Sequence, residues 1–505
     1  MRMYSLLHRK GQFCAVFLIA AFASIEAPGQ PQTVTFLHTN DMHAGFVPHE
    51  AIWARTTPKP LVGGFEELAF KVDSIRSLRP LSILVDCGDV MTGNPICDIE
   101  YRGASGGALY EMMNRIGYDV SCPGNHDFDI SQENLVRLTT IATFPSLSAN
   151  LVNAQGQFPV NNKPYAIIER GGLKIGFIGL MSQELYGLVN QNSLVGIKVL
   201  SPVETAKKYI AELRSKTDLL VAITHQGFSD DSVLAQEAPG LDIVIGGHSH
   251  TRLKAPRVVN DVRIVQTGAN CENLGLLDVT VDEGKVVSAT GSLIQLWPGK
   301  DRPPSKVSPL VDSMEAIIDR EYSEVIGTLT EDWVRKQGGS AIGTFITEAQ
   351  REAAHAEIGF MNDHGIRKDL SAGEITKREL FEVLPFRNVL MTFQLSGEEL
   401  ETVARYYLER RPAIQMTGMI ITWRPTGDGG KELVDITVQG KPLEKKRMYI
   451  CAASDFLVGE AERYMGIEIL KPISLQQTVF GAVESAIRRE KQITPKQTLF
   501  LEQAQ

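Results

Sequence analysis

The 505-residue chain has no apolar run reaching the ~20 residues that a membrane-spanning helix needs. Cysteine is scarce: six residues, at 14, 87, 97, 122, 271 and 451, with no CxxC spacing among them. That excludes a thiolate zinc site and a disulfide framework. Cys87 and Cys122 lie in apolar, strand-like runs and read as buried free thiols; a Cys87–Cys97 bridge is the open alternative. Basic residues do not dominate, since 51 Lys and Arg against 60 Asp and Glu give a net charge of −9. Such a chain repels polyanions, which makes it a poor candidate for binding nucleic-acid polymers or anionic membrane surfaces, and neither is expected as a partner. Internal repeats and low-complexity tracts are also missing.

What is present is ordinary globular material, 43% hydrophobic and 22% charged. The length calls for two or more domains. Arg2, Arg9 and Lys10 precede the apolar stretch Phe13–Phe22, and Ala21-Phe22-Ala23 offers a small-x-small cleavage site. Residues 1–23 therefore read as a signal peptide, with a retained anchor as the alternative, and place the protein in the periplasm or outside the cell. Cleavage removes three positive charges and no negative ones, taking −9 to −12. After it no membrane span remains. An anionic substrate would then need a local patch of positive charge.

From Thr33 to about Leu296, the β-rich runs TVTFL, SILVD, KIGFIGL, LLVAIT, DIVIGG and RIVQTG alternate with helical stretches such as Phe65–Ser77 and Pro202–Ser215. That alternation argues for an α/β architecture over residues 33–298. WPGKDRPPSK then breaks the pattern. Leu310, Val311, Met314, Ile317 and Ile318 recur at helical spacing, so residues 299–324 read as linker and bridging helix. A second α/β region, 325–505, opens on a helix through Ile342, Phe345, Ile346 and Ala349, with Ser340 as its N-cap.

Five of the strand-like runs end in groups that bind metal: Asp41 and His43, Asp89, Asn125 with His126, His225, and His248 with His250. Side chains at the carboxyl ends of strands in an α/β sheet converge on one crevice. The i, i+2 spacing of Asp41/His43 and His248/His250 puts each pair on one side of an extended segment. Gly88, Gly124, Gly246 and Gly247 permit tight turns beside them. With His38 in the run that leads to Asp41, six of the ten histidines fall in these motifs, which makes coincidence a poor explanation. A lone Asp41 would read as a turn residue and a lone Asn125 as a helix cap. Four imidazoles, two carboxylates and an amide suit Zn or Mn, with Fe or Co possible, rather than Ca or Mg. Seven groups are too many for one tetrahedral ion and suit two ions sharing a carboxylate, for which Asp89 is the natural bridge.

Asp41-x-His43, Gly88-Asp89, Gly124-Asn125-His126-Asp127, His225 and Gly247-His248-x-His250 resemble the calcineurin-like metallophosphoesterase family. LHTNDMH, GGFEEL, GNHDFD and GEITKRELFEVLPFRN extend the likeness to the bacterial 5′-nucleotidase and UDP-sugar hydrolase group. The resemblance implies an N-terminal β-sandwich flanked by helices and a C-terminal α/β substrate domain. It implies one ion on Asp41, His43, Asp89 and His250, and another on Asp89, Asn125, His225 and His248. A hydroxide bridging such ions would attack the phosphorus in line. His126, oriented by Asp129, would stabilise the transition state or protonate the leaving oxygen; the bland reading of Asp129 is a cap before Ser131.

By the same resemblance the substrate is a small phosphorylated molecule, foremost a nucleoside monophosphate or nucleotide sugar. Asn362 and Arg367 match a ligand-binding motif, Phe386 and Phe456 the rings that sandwich a base, and Asn388 a polar contact. Arg335 is a further match to an anion-binding arginine. Packing in the core is the other reading of both rings. Asp363, His364 and Arg387 stand where the family has glycines, and its Gly-Gly-Asp-Gly after the second ring is missing. These departures keep a 2′,3′-cyclic nucleotide phosphodiesterase or a non-nucleotide phosphatase as the alternative. Oligomeric state is left open.

Overall fold

The runs that alternate in the sequence become two sheets packed face to face. A computed structural model describes residues 31–299, 302–427 and 429–504; the leader reading falls outside them. In the first sheet β1 (Gln32–Thr39), β2 (Ser82–Asp86) and β3 (Val120–Ser121) run parallel, pairing Phe36 with Ile83 and Val85 with Val120. In the second, β4 (Leu173–Met181), β5 (Leu219–His225), β6 (Ile243–Ile245) and β7 (Val262–Val265) are parallel in that order. Antiparallel strands extend both sheets.

Strand residues point alternately to opposite faces, and here both faces are covered. Val34, Phe36, Ile83 and Val85 meet Ile175, Phe177, Val221 and Ile223 between the sheets, all fully buried. Leu37 and Leu84 face outward onto helices α1 (Phe65–Leu78) and α2 (Gly107–Ile116). On the far side Ile178, Leu180 and Leu220 pack on α3 (Pro202–Leu213) and α4 (Phe228–Glu237). The result is helix, sheet, sheet, helix.

The expected bridging helix forms as α5 (Ser308–Tyr322), but its stripe does not stand between two bodies. Leu310, Val311, Met314 and Ile318 join the core beneath α1 and α2. Beyond it, α6 (Ala341–Ala353) starts at Ser340, whose hydroxyl accepts from the Gly343 amide at 3.0 Å. A five-stranded sheet follows, in the order Ile414–Thr417, Ile358–Asn362, Met448–Ser454, Val389–Ser396 and Ile473–Thr478. The five described cysteines are buried free thiols. Among the described residues no helix is long and apolar enough to cross a membrane.

Asp231, in the first turn of α4, is fully buried, accepts from the Thr224 hydroxyl at 2.6 Å and Gln226 Nε2 at 3.1 Å, and leaves Oδ2 without a partner. Burial pushes its pKa up to about 7 against the weaker pull of those hydrogen bonds. The folded state thus holds this proton more tightly than the unfolded one. Its contribution to stability is complete below about pH 4 and is lost as pH rises through 7. Asp231→Asn should remove that loss, gaining roughly 2–4 kcal/mol over wild type between pH 4 and pH 8. Thermal melts at both pH values check it; an unchanged difference would show that the carboxyl is charged in the fold.

Candidate metal centre

All five predicted groups sit just past, or on, the carboxyl ends of parallel strands. Asp41 and His43 follow β1, Asp89 follows β2, Asn125 and His126 follow β3, His225 ends β5, and His248 and His250 follow β6. Asp41, His43, Asp89, His248 and His250 have φ between 46° and 77°, a region that residues with a Cβ seldom occupy. Each such residue stores on the order of 1–3 kcal/mol that the surroundings must hold in place. The holding is done by backbone bonds between the loops: Asp41 N–H to Gly88 O and His43 N–H to Asp89 O, both 2.9 Å, and Asn270 N–H to Asp41 O at 2.8 Å. Of the glycines beside the ligands, only Gly88 has a positive φ, 84°. At Gly124 the constraint is room, since a Cβ there would meet Asp89 Oδ1 at 2.2 Å.

These loops bring together two triads, Asp41/His43/His250 and Asp89/His225/His248, with donor atoms within 4.8 Å of one another in each. Asp41 Oδ1 is 3.5 Å from His250 Nε2 and 3.9 Å from His225 Nε2. Asp89 Oδ2 is 3.2 Å from His225 Nε2 and 3.9 Å from His43 Nε2, so this carboxylate faces both triads. Asn125 Oδ1 lies 3.2 Å from His225 Nε2 and makes no helix-capping bond. The ring tautomers follow from the partners. Carbonyls only accept, so His225 Nδ1 donates to Cys87 O at 2.6 Å and His43 Nδ1 to Thr92 O at 3.1 Å, turning both Nε2 atoms toward the centre.

The donor set draws positive charge. Burial alone would depress His225, but Asp89 and then Asp41 outweigh it and hold the ring well above its usual pKa. Burial would raise Asp89 and Asp41; facing imidazoles instead lower the first well below the carboxylate range and the second to about 2. At the other triad, the Arg367 guanidinium reaches within 3.1 Å of His43 Nε2. Buried oxygens and imidazole lone pairs that gather a proton and a guanidinium fit divalent cations well.

His126 stands beside the triads. Its amide donates to Asp89 Oδ1 at 2.7 Å, and its Nδ1 lies 2.8 Å from Asp129 Oδ2. Burial opposes protonation, yet Asp129 and Asp89 raise its pKa overall. The capping reading of Asp129 does not hold: Ser131 caps the next helix, accepting from Asn134 N at 3.1 Å.

Across a cleft of about 2260 Å³ lie the residues predicted for substrate. The Phe386 ring is 5.5 Å from that of His126, and the Arg367 guanidinium is 5.9 Å from Phe386. Phe456, half-buried against Tyr464, and Asn388 line the same cleft. Asn362 is buried with Oδ1 unpartnered. Arg335 is not free for an anion on its Nε side. It grips Asp369 at 2.9 Å and the Arg367 carbonyl at 2.8 Å, bracing the loop that carries Arg367.

Sequence reasoning missed the supports. Thr92 donates to Asp129 Oδ2 at 2.6 Å while its carbonyl holds His43. Buried Asp127 accepts from the amides of Gly124 at 2.7 Å and of Asp89, Val90 and Met91 at 3.1 Å, tying two ligand loops together. A second acid inside GNHDFD was the available signal for Asp127; nothing local marks Thr92.

The calcineurin-like phosphoesterase family model matches residues 34–252, and that of the 5′-nucleotidase C-terminal domain residues 325–468. The chain belongs to the calcineurin-like phosphoesterases of the 5′-nucleotidase type. It is 26% identical to Protein UshA of Yersinia enterocolitica, over 86% of this chain and 87% of that one. It is 27% identical to the snake venom 5′-nucleotidase of Gloydius brevicauda, over 90% and 84%. A 5′-nucleotidase precursor from Thermus thermophilus shares its fold, with a TM-score of 0.81, 24% identity and coverage of 94% and 99%. Like other phosphoesterases of this type it is a metal-dependent hydrolase of phosphoric esters.

Asp127 touches no predicted ligand side chain, yet it sets the Asp89 and Asn125 loops. Asp127→Asn puts an amide N–H₂ against backbone donors and should weaken metal affinity about 10–100-fold. Competition against a chelator measures this; unchanged affinity in a folded variant would assign Asp127 to loop stability alone.

Proposed function

We propose that this phosphoesterase is an exported 5′-nucleotidase acting on nucleoside monophosphates or nucleotide sugars with two divalent transition metals, Zn or Mn first, then Fe or Co. The observation that carries the metal reading is the pair of adjoining triads, with Asp89 of one facing His43 of the other. Asp41, His43, Asp89 and His250 would hold one ion, and Asp89, Asn125, His225 and His248 the other. When bound, such ions supply a nucleophilic water and neutralise charge on the phosphate oxygens. Export rests on residues 1–23, and the domain division proposed remains 33–298, 299–324 and 325–505.

The chain's own groups do the rest. His126, fixed by Asp129, lines the cleft, where its other nitrogen would hand a proton to the leaving oxygen. Arg367 brings a half-buried positive charge onto the centre and would grip phosphate, which answers the net charge of −9. Phe386 and Phe456 would hold the base between them. At two of the three altered glycine positions the side chain is tied to neighbouring protein groups. Asp363 accepts from Gly338 N at 3.1 Å and from Gln415, and Arg387 pairs with Asp98 at 2.6 Å. Both side chains are engaged with protein.

Phosphate release from AMP should vanish on metal stripping and return with Zn or Mn; full activity in protein shown metal-free by elemental analysis would end the metal reading. Release from cyclic nucleotides or sugar phosphates but not from AMP would end the nucleotidase one. Stacking contributes ~1–3 kcal/mol per base. Phe386→Ala/Phe456→Ala should therefore raise KM for AMP at least about tenfold while changing p-nitrophenyl phosphate turnover little. Unmoved AMP kinetics would return both rings to core packing.

A further inference from the structure

The cleft has a second aromatic surface, on the catalytic side and far from Phe386 in sequence. His49–Glu50 pairs antiparallel with Leu61–Val62, so residues 49–62 form an arm. Trp53 and Leu61 on that arm are 49% and 52% exposed and line the cleft. Trp53 is also held still. Its Nε1 donates to Glu272, 3.3 and 3.2 Å from the two carboxylate oxygens, and the Arg252 guanidinium lies 5.6 Å from its ring. Glu272 is itself fixed by His49 at 3.6 Å and Arg252 at 3.7 Å. Trp297, 41% exposed, backs the indole at 5.9 Å between ring centroids.

The position matters as much as the rigidity. Arg252 is two residues past His250 and Glu272 two past Asn270, so Trp53 is clamped by the loops that carry and brace the centre. His250 and Ser249 line the same cleft, and the His250 side chain is 39% exposed. The arm also crosses to the C-terminal region: Lys59 pairs with Asp332 at 3.4 Å, and Glu50 accepts from Ser371 at 3.1 Å. Phe386 thus stands beside His126, and Trp53 stands on the His250 side of the cleft. A fixed, wet aromatic face at the edge of a binding cleft is what a planar ligand ring stacks on.

We propose that Trp53 is a second stacking subsite, taking a flat ring that lies beyond the scissile phosphate from the ring held at Phe386. Resting on the nucleotidase reading, it gives the substrate class two ends: a nucleotide whose phosphates carry a further base or aromatic group. Glu272 and Arg252 position the indole and touch no reacting atom.

Diadenosine diphosphate and AMP, with p-nitrophenyl phosphate as a metal-site control, test it on the full chain loaded with Mn. In Trp53→Ala the ratio of KM for diadenosine diphosphate to KM for AMP should rise at least about fivefold, and Trp53→Phe should restore most of it. In wild type, diadenosine diphosphate should quench indole fluorescence that Trp53→Phe lacks. An unmoved ratio in a folded variant that turns over AMP overturns the subsite alone. Wild type that hydrolyses AMP but neither cleaves nor is inhibited by diadenosine diphosphate also overturns it. Turnover of p-nitrophenyl phosphate with neither nucleotide defeats the nucleotidase reading, and the subsite with it.

Discussion

Two buried carboxylates, four imidazoles and an amide oxygen crowd one end of a sandwich whose two sheets meet across hydrocarbon. Such a cluster is costly in a dry interior unless positive charge sits among the oxygens. Every feature around it follows from that need. Left-handed backbone at Asp41, His43, Asp89, His248 and His250 aims the donors inward. Cys87 O and Thr92 O fix two ring tautomers so that lone pairs face the centre. Asp127 gathers four amides so that the loops cannot spread. The sandwich core supplies the rigidity against which this strain is held, because Val34, Phe36, Val85, Val221 and Ile245 are buried on the strands that lead into the site.

The C-terminal region is placed by the same charge logic. Arg367 meets His43 across the cleft, and its loop is braced by Arg335 through Asp369. Asn94, at the start of a short helix just past Thr92, donates to Glu382 at 3.1 Å, and Arg378 joins Glu382 to Glu315 of the bridging helix. The two regions are therefore joined through polar contacts around the cleft. α5 carries its apolar stripe back to the first core and offers its acidic face to the second region.

An acidic enzyme acting on anionic esters meets a problem of attraction, since its overall field opposes the substrate. Here the answer is local. Metal charge, Arg367 and the protonated form of His126 concentrate positive potential at one end of the cleft, while exposed ion pairs elsewhere cancel. On the proposed reading, aromatic surfaces would then supply the binding that charge does not: Phe386 beside His126 and Trp53 beside the His250 loop.

Much of this was written in local sequence. Each catalytic strand is an apolar run that ends in a ligand, because parallel strands buried on both faces must be continuous hydrocarbon and must stop where the donors begin. The clustering of the candidate ligands, the His126–Asp129 pair and the Ser340 cap were legible in local sequence. Tertiary structure alone decided the rest. Thr92 and Asp127 act through atoms contributed by other loops, and no periodicity or composition marks a carbonyl as the partner of His43. What holds Asp363 and Arg387 depended on Gln415 and Asp98, 52 and 289 residues away. Trp53 has meaning only beside Glu272, 219 residues on, because long-range packing sets which exposed side chains are held rigid.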